Sequence, residues 1–160
     1  MSGASDTRVE SGDGQALAER VVATMLDGDA FSRWLGCEVT ALAPHACTVR
    51  MRVRPEMVNG FGVCHGGIAF SLADSALAFA ANTHGSVTVS IENSITYPAP
   101  VHVGDELEAV AAAESVGGRV SFYRVVVTKQ DGSAVGLFRG TVYDTRRDFF
   151  AARPSGEGRA

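Results

Sequence analysis

The segment 68–83 constrains the fold more than any other part of this sequence. It is rich in Ala, Leu and Phe, and its spacing predicts a helix with apolar residues on nearly every face. A helix that is apolar all round is buried rather than laid on a surface. Other secondary structure must therefore surround this segment.

Most of the remaining chain predicts β-strands. In the second of these strands, Cys47, Val49 and Met51 alternate with polar residues, as expected for a strand with one wet face. Turn sequences such as Pro44-His45 and Asp131-Gly132 separate the strands. The segments richest in Val and Thr, or alternating in polarity, are 37–42, 46–53, 87–97, 106–115, 120–129 and 134–143. The simplest solution is an α+β fold in which an antiparallel sheet curls around the apolar helix.

The two ends of the chain have a different composition. Residues 1–13 are small or charged and have no apolar periodicity, so we predict that they are disordered. Residues 15–35 predict a helix, with a point of interruption at 27–29. Residues 148–160 are predicted to form a flexible tail, which leaves 14–147 as a single domain.

Charge and cysteine content exclude several classes of protein. The formal net charge of −4 offers no basic field for nucleic acid. The longest apolar run, near 72–81, is interrupted by Asp74 and Ser75 and is too short to cross a membrane. Three cysteines and a polar N-terminus without a signal peptide fit a cytoplasmic protein.

Asp74 is the anomaly of the apolar helix. Helical spacing places it on a face with Phe70, Ser71 and Leu77. A carboxylate in such surroundings is costly unless it is paired, or else its pKa rises. The residues alone leave two interpretations open. Asp74 is either a catalytic carboxylate or a helix-edge residue bonded to Ser71, Ser75 or a loop amide.

The loop before this helix carries a second group of candidates. Gly66 and Gly67 stand at the helix start, where free N–H groups can polarise a carbonyl, although a tight turn explains a glycine pair equally well. Asn59 can bind a water or a carbonyl, or simply form a turn. His65 can shape the loop or bind substrate.

A cysteine nucleophile and a zinc site are both disfavoured. Cys64 is adjacent to His65, but neighbouring side chains point apart in an extended segment and no third orienting residue is evident. The four histidines show no paired spacing for zinc.

The stretch 59–76, which contains Asn-Gly, then Cys-His-Gly-Gly-Ile-Ala-Phe-Ser-Leu-Ala-Asp, closely resembles the core motif of hotdog-fold thioesterases. It looks most like the phenylacetic acid degradation type. The positions 104–105 and 137–140 also match that pattern, and the resemblance covers about 34–144. In place of the aromatic-Leu-Arg-Pro ending of many relatives, this chain has Tyr97-Pro98-Ala99-Pro100.

The resemblance implies a hotdog fold and hydrolysis of an aryl or medium-chain acyl-CoA, such as phenylacetyl-CoA or a hydroxylated relative. It implies no cofactor and no metal. By position, Asp74 becomes the nucleophile or general base, while Gly66, Asn59 and His65 complete the catalytic set. Gly67, Phe61 and Cys64 are the expected substrate-binding residues. Two rivals remain: a non-catalytic acyl-CoA sensor, and a hotdog hydratase or dehydratase.

Helix geometry predicts that the site needs two chains. Gly66 and Asp74 are eight residues apart, which is about 12 Å along a helix axis at ~1.5 Å per residue. A reacting carbonyl must lie within about 3 Å of both its donor and its attacking group. A two-fold dimer can bring Asp74 of one subunit to the helix start of the other. The resemblance implies the same homodimer, often assembled into a homotetramer.

Overall fold

The computed structural model of the protein describes residues 7–151. Two helices, α1 and α2, precede two strands, and the long helix α3 precedes four more strands. The helices are Thr7–Gly28 (α1), Ala30–Leu35 (α2) and Gly66–Asn82 (α3), and the strands are Glu38–Ala43 (β1), Ala46–Arg52 (β2), Ser86–Thr96 (β3), Glu106–Gly117 (β4), Val120–Lys129 (β5) and Ala134–Asp148 (β6). None of the helices in the described range is long and apolar enough to cross a bilayer.

The segment 1–13, for which we predicted disorder, overlaps helix α1 from Thr7 onward. Helix α1 begins there and continues to Gly28. The small and charged residues of this stretch therefore extend a helix whose apolar positions, such as Ala18 and Val21, are buried further along. Residues 1–6 lie outside the described residues, and so do residues 152–160 of the predicted tail. The predicted interruption at 27–29 is confirmed, because Asp29 caps a separate helix by accepting from the Ser32 N–H.

All six strands form one antiparallel sheet in the order β1-β2-β4-β5-β6-β3. β1 and β3 are therefore the edges. β3 has eleven residues and pairs only with β6. This long, one-sided strand carries side chains that matter for the site described below.

Helix α3 packs against the concave face of this sheet. Its buried face includes Leu72, Ala76 and Leu77, none of which exposes any surface. The strands contribute buried residues at alternate positions, for example Val49, which is also fully buried, and Met51. Small alanines on α3 let the sheet approach the helix closely, and the curled sheet around a central helix confirms the predicted hotdog fold.

Candidate active site

The start of α3 is built by a histidine cap. His65 has an extended backbone, and its Nδ1 accepts a hydrogen bond of 2.9 Å from the Gly67 N–H. The Gly67 N–H is therefore occupied by the chain itself. The Gly66 N–H makes no hydrogen bond within residues 7–151, so it is the free donor at this helix terminus.

Tyr97, which directly follows β3, lies against Gly66. Its hydroxyl donates a hydrogen bond of 2.9 Å to the Gly66 carbonyl oxygen. A Cβ built on residue 66 would lie 3.1 Å from the ring carbon Cζ of Tyr97, which is tighter than ordinary packing. Glycine at 66 thus lets an aromatic ring close one side of the helix start. Partial burial raises the pKa of the Tyr97 phenol, which keeps it a donor.

A pocket of about 310 Å³ opens beside this first turn. Gly66 and Tyr97 form part of its wall. The rest is mostly apolar and includes Val63, Ala69, Ala99, Pro100, Val101 and Val135. Ala99 lies in this wall at the position where the resemblance leads us to expect an arginine, so the wall carries no charge there. The pocket has the size and polarity of a small-molecule site.

Asn59 organises the loop that leads into α3. Its Oδ1 accepts a hydrogen bond of 2.9 Å from the Phe61 N–H, and its own N–H donates to the Val63 carbonyl oxygen at 2.8 Å. Within one chain, Asn59 therefore has the turn-forming role that the sequence left open. The loop is also anchored by the His65 N–H, which donates to the Met57 carbonyl oxygen.

Asp74 lies in the middle of α3 and is half-buried. Its Oδ1 accepts a hydrogen bond of 2.8 Å from Nδ2 of Asn93 on β3. Burial raises the pKa of the Asp74 carboxyl, and hydrogen bonds from Asn93 and Ser90 partly oppose this shift. The partner is Asn93 rather than Ser71, Ser75 or a loop amide, and the catalytic role of Asp74 stays a prediction. A carboxylate with a raised pKa inside a polar contact is typical of a functional group.

A β-bulge brings Asn93 and Ser90 to the same carboxylate. The pairing of β3 with β6 shifts between Ser90 and Glu92. In a regular strand, residues three apart point to opposite faces. The extra residue resets this alternation, so both side chains reach Asp74. The bulge also leaves Ile91 57% exposed at the sheet edge.

The other predicted substrate-binding residues have different surroundings. Cys64 is buried and lines the pocket, and burial raises the pKa of its thiol to about 11. A thiol of that acidity is not a nucleophile near neutral pH. Phe61 is 94% exposed at the loop tip. The substrate-binding roles of Cys64, Phe61 and Gly67 stay predictions.

Three contacts of the site were not identified from the sequence. Asn93 and Ser90 lie on β3 and Tyr97 directly follows it, about 20 residues beyond Asp74. The strand pattern of 87–97 was recognisable, but the bulge that turns Asn93 inward was not. An asparagine in an otherwise Val- and Thr-rich strand was the available signal, because asparagine is depleted in strands.

Comparison with known proteins agrees with this geometry. The family model of the thioesterase superfamily matches residues 61–135. The acyl-coenzyme A thioesterase PaaI of Escherichia coli K12 is 35% identical over 116 residues, which cover 72% of this chain and 83% of the relative. Human acyl-coenzyme A thioesterase 13 is 30% identical, over 79% of this chain and 93% of the relative.

The solved structures agree as well. The structure of the E. coli PaaI protein from the phenylacetic acid degradation operon superposes with a TM-score of 0.80 at 32% identity, covering 81% of this chain and 94% of that chain. The curled sheet, the capped helix start and these relatives together define the class. The chain belongs to the thioesterase superfamily, as a hotdog-fold thioester hydrolase of the PaaI type.

Proposed function

We propose that this protein hydrolyses an acyl-CoA thioester to a free acid and CoA, and that its acyl group is aryl or medium-chain. Phenylacetyl-CoA or a hydroxylated relative is the leading candidate. The observation that carries the proposal is the free Gly66 N–H beside an apolar pocket, at the positive end of α3. The E. coli relative is an acyl-coenzyme A thioesterase from a phenylacetic acid degradation operon, which supports the same substrate class.

The Gly66 N–H polarises the thioester carbonyl and stabilises the negative charge that develops on its oxygen. Asp74 either attacks the carbonyl carbon directly or removes a proton from the attacking water. In the second route, the water oxygen forms the new C–O bond, the C–S bond breaks, and the departing CoA thiolate takes up a proton. The raised pKa of Asp74 suits the base role, because a more basic carboxylate accepts a proton more readily.

The site is proposed to form between two subunits. β3 is a long edge strand that is paired on one side only. An unpaired edge of this kind can form hydrogen bonds with a strand of a second chain. Asp74 is tied to this edge through Asn93. A partner joined along β3 would place its own helix start near Asp74. Within one subunit, the ~12 Å separation along the helix keeps Asp74 away from the helix start. We expect a homodimer that assembles into a homotetramer.

The same residues weigh against the rivals. A sensor would keep the pocket without needing a desolvated carboxylate opposite the carbonyl. A hydratase or dehydratase needs an acid–base pair around the acyl chain, whereas His65 belongs to the helix-start motif, where it caps α3. Three free cysteines fit the expected cytoplasmic location.

A panel of aryl, short-chain and medium-chain acyl-CoAs tests the proposal. We expect free thiol to be released without added metal, fastest for aryl or medium-chain substrates. Binding of the same thioesters without thiol release would favour the sensor. A preference for acetyl-CoA would contradict the assignment of an aryl or medium-chain substrate.

A further inference from the structure

The amide of Asn93 has an unusual environment. Its Nδ2 donates to Asp74, while its Oδ1 is buried and has no hydrogen-bond partner among residues 7–151. A buried carbonyl oxygen without a partner costs free energy. The unpaired Oδ1 is therefore destabilising, while the Nδ2 of the same amide binds the Asp74 carboxylate.

Gly140 makes this arrangement sterically possible. It lies directly opposite Asn93 in the β3–β6 pairing. A Cβ built on residue 140 would lie 2.8 Å from Asn93 Oδ1 and 2.5 Å from Leu77 Cδ2. Real Cβ atoms essentially never make contacts under 3.0 Å, so any side chain at 140 would force the Asn93 amide and the Leu77 side chain to shift. Glycine normally weakens a strand, so its presence at position 140 is best explained by close packing.

The β-bulge in β3 is the third feature that allows Asn93 to contact Asp74. It turns Asn93 toward α3, and a bulge that re-aims a side chain is a common feature beside active sites. Packing alone would favour an apolar residue at this inward position, because the space beside Gly140 that the Asn93 amide reaches is also lined by Leu77 and Phe138, which are fully buried. An asparagine with one orphaned oxygen is better explained by its contact with Asp74.

We propose that Asn93 is a positioning residue that fixes the Asp74 carboxylate for thioester hydrolysis. In this arrangement, Gly140 leaves the space that the Asn93 amide needs to reach Asp74. This inference rests on the proposed role of Asp74. Asn93 acts through Asp74 and does not itself touch the reacting atoms. Its N–H stabilises the ionised carboxylate and restricts its rotation, so its loss should affect turnover more than substrate binding.

Asn93→Leu and Asn93→Asp test the proposal, because both keep the shape of asparagine and remove the amide donor. We expect kcat to fall about 10- to 100-fold with KM changed less than about threefold. The acid limb of the pH profile of kcat/KM should move to higher pH, since a hydrogen bond that lowers the Asp74 pKa is lost. The limb should move further for Asn93→Asp, where two carboxylates lie side by side.

Ser94→Ala is the matched control, an exposed residue one position along the same strand. It should leave kcat and the pH profile unchanged. Gly140→Ala should reproduce the upward move of the acid limb, whereas Gly117→Ala, which meets only a carbonyl oxygen at 3.7 Å, should not. Melting curves identify variants that fail to fold, and the Asp substitution keeps a polar side chain of equal size if the Leu substitution is not tolerated.

The outcomes separate this proposal from the one on which it rests. If Asp74→Asn abolishes turnover but the Asn93 variants keep a wild-type pH profile, Asn93 is only a filler of the sheet and the inference is overturned. A loss of kcat without a moved acid limb has the same meaning. If Asp74→Asn itself remains active, the assignment of Asp74 fails first, and the inference falls with it.

Discussion

The hydroxyl of Tyr97 donates a hydrogen bond to the carbonyl oxygen of Gly66, and the same ring occupies the space that a side chain on residue 66 would need. The residue that follows β3 thereby fixes the backbone of the first turn of α3. The free Gly66 N–H therefore lies at a helix terminus whose position is held by the contact with Tyr97. The donor at one end of α3 is thus supported by the residue that follows β3, and the carboxylate at its middle by Asn93 on β3.

Gly66→Ala should lower kcat/KM by about 10- to 100-fold, because the new Cβ would press on Tyr97 and shift the helix start away from its donor position. Gly60→Ala is the matched control. It makes the same change in the loop that leads into α3, and nothing lies within 4 Å of its Cβ. Steady-state kinetics on the preferred acyl-CoA measures both. Equal activity of the two variants would mean that the Gly66 terminus does not contact the thioester.

Asp74→Asn should reduce turnover by about a hundredfold or more, because the amide can neither attack nor accept a proton. Its melting temperature should equal or exceed that of the wild type at pH 7. The folded-state pKa of Asp74 is raised, so the carboxyl binds protons more readily when folded, and ionisation at neutral pH costs stability. A neutral amide avoids that cost. Near-normal turnover in the folded variant would remove Asp74 from the mechanism.

Mixed dimers test whether two chains share each site. Asp74→Asn and Asn59→Ala, carrying different tags, should each be nearly inactive alone. In a mixed dimer, one site would combine the intact Asp74 of one chain with the intact Asn59 of the other, so isolated double-tagged dimers should recover about half of wild-type activity. A randomly paired pool should recover about a quarter.

Two differently tagged copies of Asp74→Asn, purified in the same way, provide the baseline for this experiment. If Asp74 and Asn59 act within one chain, every site in the mixed dimer carries one lesion. Activity would then stay at the level of the single variants, and the shared site would be wrong even though Asp74 could remain catalytic.

His45 should make the fold sensitive to mild acid. Burial, and secondarily the charge of His84, lowers the pKa of His45, whose Nδ1 lies 3.1 Å from the Tyr123 hydroxyl oxygen. A histidine with a lowered folded-state pKa contributes stability above its unfolded pKa of about 6.5, and this contribution is lost as the pH falls through the folded pKa. Urea unfolding at several pH values should therefore show a free energy of unfolding that declines below about pH 6.5.

His45→Asn should flatten that decline. Asparagine tolerates the left-handed backbone of residue 45, which has a φ of 60°, and it does not titrate in this range. An unchanged slope in the variant would show that other groups cause the acid sensitivity.

Much of the fold could be predicted from periodicity. The apolar segment 68–83 was recognisable as the central helix, and the structure places α3 at Gly66–Asn82. The strand predicted at 120–129 has the observed bounds of β5. Both succeed because burial imposes a local pattern that neighbouring residues in the sequence reveal.

The sequence by itself determined the class of this protein, because the Asn59, His65-Gly66-Gly67 and Asp74 motif lies within one short stretch whose spacing is readable without a structure. Only the tertiary structure decided what surrounds Asp74. Asn93 reaches it through a bulge, and Gly140 leaves room for it from another strand, nearly fifty residues further along the chain. Contacts between distant segments depend on strand register and on the space between side chains, and neither leaves a periodic signal in the residues that make them.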